Sequence, residues 1–174
     1  MPGGAEKQKE ARSTGEAFKL NAWEHEKGAA FYNKHLRNLL PHAWRVLVER
    51  YPVLTDKMLA ALPRRYRLEG TGFSKCTVAL NNPTPLHYDD QNFGLTFLIA
   101  FDVGASPLAP GSGSHVLCGM DMQVAVQVRD RATGVVTLGD YRRVLHANRA
   151  VHGNGERLIV TAYCSQALVN RVSS

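Results

Sequence analysis

Disulfide scaffolding has almost nothing to work with in this chain. Its three cysteines, Cys76, Cys118 and Cys164, are odd in number and form no CxxC pair. That argues against a disulfide framework or a structural zinc site, and for a reducing compartment. Long apolar runs are missing too, since none approaches the roughly 18 residues that cross a bilayer. No membrane association is expected. The first residues, MPGGAEKQKE, are charged and glycine-containing, unlike a secretory signal peptide. There are no internal repeats, and the one stretch of small residues is GASPLAPGSGS (104–114). Acidic residues run short as well. Fifteen Asp+Glu face 21 Lys+Arg, a net charge of +6, which suits a polyanionic partner such as nucleic acid without requiring one. The expectation is an intracellular protein.

What is present can build a core: 174 residues, 44% of them hydrophobic, fit one domain. Residues 1–20 are polar, mixed in charge and poor in large apolar groups, and read as a disordered tail or a linker to further chain. From Trp23 to Leu62 apolar residues recur at helical spacing, with Pro41 and Pro52 as breaks, so two or three helices are expected. After Arg64 the pattern turns β-like. CTVALN (76–81), LTFLIAFDV (95–103), HVLCGM (115–120), QVAVQV (123–128), GVVTLG (134–139), RRVLHA (142–147) and RLIVTAYC (157–164) are short and rich in β-branched residues, and turn residues separate them. With LHYDDQN they make about eight strands. The fold class is α+β, mainly β: a β-sandwich or jelly roll buttressed by helices. The helices occupy about 21–63 and the jelly roll about 64–170 of a single domain, 21–174.

The densest polar cluster is PLHYDDQN (85–92), just before an apolar run. On a strand, residues i and i+2 share a face, so His87 and Asp89 would point the same way with Tyr88 opposed. An imidazole beside a carboxylate is two legs of a metal site. A second histidine from another strand would complete the 2-His-1-carboxylate triad of non-haem Fe(II) oxygenases, which leaves open positions on the iron. Downstream, VLHANRAVHGNGERLIVTAYC (144–164) offers His146 inside a strand and His152 at a glycine-rich turn. Both remain candidates for the third ligand, His146 being favoured because a turn holds a ligand less firmly. Arg157 opens the strand that follows.

Taken in order, HxD, a distal His, and an Arg eleven positions after His146 resemble the Fe(II)- and 2-oxoglutarate-dependent dioxygenases. HxDxQN at His87–Asn92, with Gly155-Glu156-Arg157 and Tyr163-Cys164 closing the domain, looks like the TET/JBP branch, in its fungal and algal forms. The resemblance covers about 76–164. It implies a double-stranded β-helix, with His87, Asp89 and His146 as iron ligands. It implies 2-oxoglutarate (ascorbate instead in an algal relative) and O₂ as co-substrates, with Arg157 gripping the far carboxylate of 2-oxoglutarate. It also implies Asn92 at the target base and oxidation of a methylated pyrimidine such as 5-methylcytosine, in DNA and hence in a nucleus. The large Cys-rich domain of animal TET proteins has no counterpart in this chain. Duplex contact would fall to the helical part, the 104–114 loop and basic residues such as Lys34, Arg37, Arg45, Arg50, Arg64, Arg65 and Arg67. Two other readings stay open: a hydroxylase of protein side chains or small molecules, and a non-catalytic jelly-roll module.

Overall fold

A computed structural model describes residues 12–14, 16–19, 34, 36–119, 123–128 and 134–174. Two short antiparallel strands, β1 (Arg12–Thr14) and β2 (Glu16–Lys19), pair within the stretch expected as tail or linker. Trp23 and most of the first expected helical stretch lie outside the described residues.

Two helices follow, α1 (Arg37–Arg50) and α2 (Pro52–Ala61). Pro52 stands at the expected break between the two helices, whereas Pro41 breaks neither of them. Pro41 lies inside α1, near its start. Pro52 is the first residue of α2, where its fixed φ suits a helix and its missing N–H costs nothing. Arg67 then closes α2 from outside. Its Nε donates to the Leu62 carbonyl and its Nη2 to the Leu59 carbonyl, both at 2.6 Å. A cation on the free carbonyls of a helix end is favourable, so this arginine is committed to the fold.

The rest is β. The strands are β3 (Lys75–Leu80), β4 (Thr84–His87), β5 (Asn92–Asp102), β6 (His115–Cys118), β7 (Gln123–Val126), β8 (Gly134–Gly139), β9 (Leu145–Asn148) and β10 (Arg157–Ser165), and α3 (Gln166–Ser173) ends the chain. They form two four-stranded antiparallel sheets, ordered β3-β10-β5-β8 and β4-β9-β6-β7. Consecutive strands such as β4 and β5 fall in different sheets, as in a jelly-roll type of sandwich.

The first sheet has apolar packing on both sides, for a reason visible in its period-2 pattern. From β5 and β10, Leu95, Phe97, Ile99, Val160, Ala162 and Cys164 face one way and join Leu40, Trp44, Leu47 and Met58 of the helices. Trp44 meets Phe73 edge-on at 5.1 Å between ring centroids. The alternate residues Leu98, Ala100 and Ile159 face the other sheet and pack with Leu117 of β6. Gly94 permits the close approach of α2. It has φ +71°, and a Cβ there would come within 2.8 Å of Met58. The loop 104–114 is pinned rather than loose. Gln127 donates to the carbonyls of Ala109 and Ser112 and accepts from the Gly111 N–H, and Ser112, Gly113 and Ser114 are buried.

Candidate metal centre

The second sheet brings together what the sequence separates. Strands β4 and β9 are antiparallel neighbours in which His87 and His146 are register partners, so their side chains emerge side by side on one face. Their rings lie 4.2 Å apart between centroids. Asp89 joins them by a route other than the expected one. β4 ends at His87, and Asp89 lies past the strand in a turn. The Asp89 N–H donates to the Tyr141 carbonyl at 2.9 Å, and its carbonyl accepts from the Asn92 N–H at 3.0 Å. The shared face of i and i+2 on a strand is therefore replaced by a hydrogen-bonded turn that delivers the carboxylate to the same place.

His87 Nε2 stands 3.4 Å from Asp89 Oδ1, and His146 Nε2 stands 3.7 Å from Asp89 Oδ2. Among the described residues these three form a group whose possible ligand atoms lie within 4.8 Å of one another. Such separations exceed ordinary hydrogen bonds of about 2.7–3.2 Å, leaving a gap for a cation to bridge. Each imidazole is oriented from behind. Nδ1 of His87 contacts the Pro85 carbonyl at 2.8 Å, and Nδ1 of His146 contacts the Val144 carbonyl at 2.9 Å. A carbonyl can only accept, so each Nδ1 carries the proton and donates it. In the neutral ring, Nε2 is then a bare lone pair facing the carboxylate. Burial holds His146 below the usual histidine range, opposed by its Val144 hydrogen bond and the Asp89 charge; the net effect favours the neutral form a ligand needs. Two nitrogens and one carboxylate are the donor set that suits ferrous iron with positions to spare.

His152 does not join this group. It is exposed at the turn before β10, its N–H donating to Ser112 Oγ at 2.8 Å. The cavity beside the cluster holds about 380 Å³ and is lined by Thr77, Asn82, Tyr88, Asn92, Ile159 and Tyr163 along with the three.

Arg157 is buried, with 1% of its surface exposed, and no carboxylate pairs with it among the described residues. Its Nη1 donates to the Gly113 carbonyl and its Nη2 to the Asn82 carbonyl, the latter at 3.0 Å, while Nε–H has no partner among the described residues. It is not part of the cavity wall; Asn82, on which it rests, is. An orphaned buried N–H on a guanidinium is costly to leave unmade, and burial lowers the pKa of Arg157 from its ordinary value. Both would be relieved by an anion.

Sequence reasoning missed the support behind His146. Tyr141, fully buried, stacks on its ring at 4.5 Å between centroids. The Tyr141 hydroxyl donates to Thr137 Oγ1 at 2.7 Å and lies 3.2 Å from Nε2 of buried His115, whose Nδ1 meets Asn148 Oδ1 at 3.0 Å. The available signal was parity. His115 shares its strand face with Leu117, which packs inward, so a polar side chain there needed an interior partner.

A sandwich of two antiparallel sheets, with two histidines on paired strands and an aspartate from the adjoining turn, is the class of molecule that fold and site define. No family model matches the chain, and no curated protein matches it. By shape it is similar to the solved structure of NgTET1 in complex with 5mC DNA, at a TM-score of 0.64 and 12% identity, covering 86% of this chain and 56% of that one. An oxidoreductase of the 2OG-Fe(II) oxygenase family from Burkholderia pseudomallei also matches, at a TM-score of 0.38 and 16% identity, covering 63% of this chain and 55% of that one. The second fit is too loose to carry an argument, and at such identities the first speaks for the fold alone. The chain spans little more than half the length of either structure.

Proposed function

We propose that this chain is an Fe(II)- and 2-oxoglutarate-dependent dioxygenase of the fungal and algal TET/JBP type, oxidising a methylated pyrimidine such as 5-methylcytosine in DNA. The observation that carries the reading is the convergence of the His87 and His146 Nε2 atoms on the Asp89 carboxylate, each ring fixed from behind by a carbonyl. These three would hold the iron. When bound with 2-oxoglutarate and O₂, the metal would supply the oxidising power that turns the substrate methyl into a hydroxymethyl, releasing succinate and CO₂. Ascorbate is the alternative co-substrate.

The chain's own residues do the rest. Arg157, resting on Asn82 of the cavity wall, would meet a carboxylate through its buried Nε–H, which has no partner among the described residues. Ile159, Leu98 and Tyr141 line the cavity and exclude water from the reacting end. The cavity's 380 Å³ has room for a small ligand such as a single flipped base. On the cavity wall, Asn92 Oδ1 is the atom of that side chain left to meet the base. Residues 21–174 would act as one catalytic domain, and a DNA substrate would place it in a nucleus.

A second reading rests on a specific observation. None of the described residues lining the cavity is Lys or Arg, and Asp90 stands exposed at its edge. That favours an uncharged target over a phosphate backbone, as in a hydroxylase of small molecules or protein side chains. Succinate release is the deciding measurement, made with methylated and unmethylated oligonucleotides and followed by nucleoside mass spectrometry. Release that depends on the methylated base, with a product heavier by one oxygen, supports the first reading. Release indifferent to both oligonucleotides overturns it in favour of the second.

A further inference from the structure

The ligand carboxylate sits on the least secure backbone of the three. His87 and His146 are strand residues, whereas Asp89 follows the strand in a turn whose next residues, Asp90 and Gln91, are exposed. A carboxylate's last torsion is broad, with no steep well to hold its plane. Something outside the turn has to fix which oxygen faces which histidine.

Asn92 is in position to do so. It is buried at the first position of β5. Its side-chain nitrogen donates to Asp89 Oδ2 at 2.9 Å and to Thr96 Oγ1 at 2.9 Å. Thr96 is fully buried in the same strand, so the anchor belongs to the central sheet and not to the turn. The Asn92 main-chain N–H also closes the turn on the Asp89 carbonyl. Both hydrogens of the amide are thereby spent inside the protein. The oxygen it binds, Oδ2, is the one turned to His146, which leaves Oδ1 turned to His87.

We infer that Asn92 is a positioning residue that acts through Asp89, locking the plane of the carboxylate so that each oxygen addresses one histidine. An amide that reads a base through both its donor and its acceptor is a different role, and here the donor is already engaged. The inference rests on the metal-centre reading above, and the experiment separates the two.

Cobalt(II), whose visible spectrum reports its ligand field, is titrated into the metal-free full chain and into His87→Ala, Asn92→Ala, Asn92→Asp and Thr96→Val. Thermal melting of each metal-free protein is recorded alongside. Retained binding in His87→Ala would sink the metal centre itself. If binding is lost there, Asn92→Ala is expected to weaken it by roughly 10-fold to 100-fold, the usual cost of losing an outer partner of a ligand, with a changed spectrum. Asn92→Asp should weaken it more, because two carboxylates would then face each other. Thr96→Val, which keeps the Asp89 contact but frees the anchor, should show a smaller loss and carries the test if Asn92→Ala does not fold. Cobalt affinity within twofold of the parent in the folded Asn92 and Thr96 variants overturns the inference, whatever happens to oligonucleotide binding.

Discussion

The two sides of the β3-β10-β5-β8 sheet have opposite compositions although the same strands make both. Toward the helices, β5 and β10 present Leu95, Phe97, Ile99, Val160, Ala162 and Cys164, all apolar and tightly buried. Toward the other sheet they present Asn92, Thr96, Asp102, Arg157 and Thr161 among a few apolar residues. Burying large apolar side chains is the main favourable term in folding, whereas buried polar groups cost stability unless fully paired. One face therefore supplies the stability that lets the other carry a poorly paired arginine and a cluster of lone pairs. The alternation along a strand keeps the two jobs a single residue apart.

The sharpest way to break that division is to remove one ligand. His87→Ala or Asp89→Ala should abolish iron binding, measured by metal content after anaerobic loading, while the metal-free melting temperature barely moves. His152→Ala should leave metal content intact. If instead it empties the site, His152 and not His146 is the third ligand.

The reciprocal experiment is Phe73→Ala on the helix side, where Phe73 is wholly buried against Trp44. A loss of about 3–5 kcal/mol in denaturant unfolding is expected for a buried aromatic, with cobalt affinity of the folded fraction unchanged. An equal loss of affinity would mean that the two faces are not independent.

Arg157→Ala comes third. Losing a charged donor to a carboxylate costs about 1.5–3 kcal/mol, so the 2-oxoglutarate concentration for half-maximal succinate release should rise on the order of 10-fold to 100-fold. Metal content should hold. Lysine should not rescue it, because a point charge cannot reproduce the fork.

At neutral pH the thiols have the smallest effect, and theirs emerges only in alkali. Burial pushes Cys76 up to about 12 and Cys164 up to about 11, while an unfolded thiol ionises near 8.5. A folded pKa raised in this way contributes stability that is full below pH 8.5 and is lost as pH rises toward 11 and 12. Denaturant midpoints should therefore fall over that window, less steeply in Cys76→Ala. At pH 8 a thiol reagent should label partly exposed Cys118 first and the other two only on unfolding.

Much of the strand pattern could be read in advance because it is local. Every β-branched run between turn residues after Arg64 is matched by a strand to within a few residues. His87, Asp89 and His146 were legible from their order along the chain, and the structure groups them. What the sequence could not show depends on register. Nothing in HVLC says that His115 lies opposite Asn148, or that Leu117 lies opposite His146. Asp89 was placed on a strand because alternation was the only rule available, and the turn that carries it is set by the distant Tyr141 carbonyl. Arg67 reads as one of seven surface cations, but two helix carbonyls within reach reassign it.

The register pairing of His87 with His146 ties strands that come from opposite ends of the β region. An ion held there is a removable rivet across β4 and β9. Any ligand that binds only the folded chain adds to its stability in proportion to the logarithm of its concentration. Scarcity of the metal would then shorten the life of the polypeptide as well as idle it, and protease resistance would rise and fall with supply.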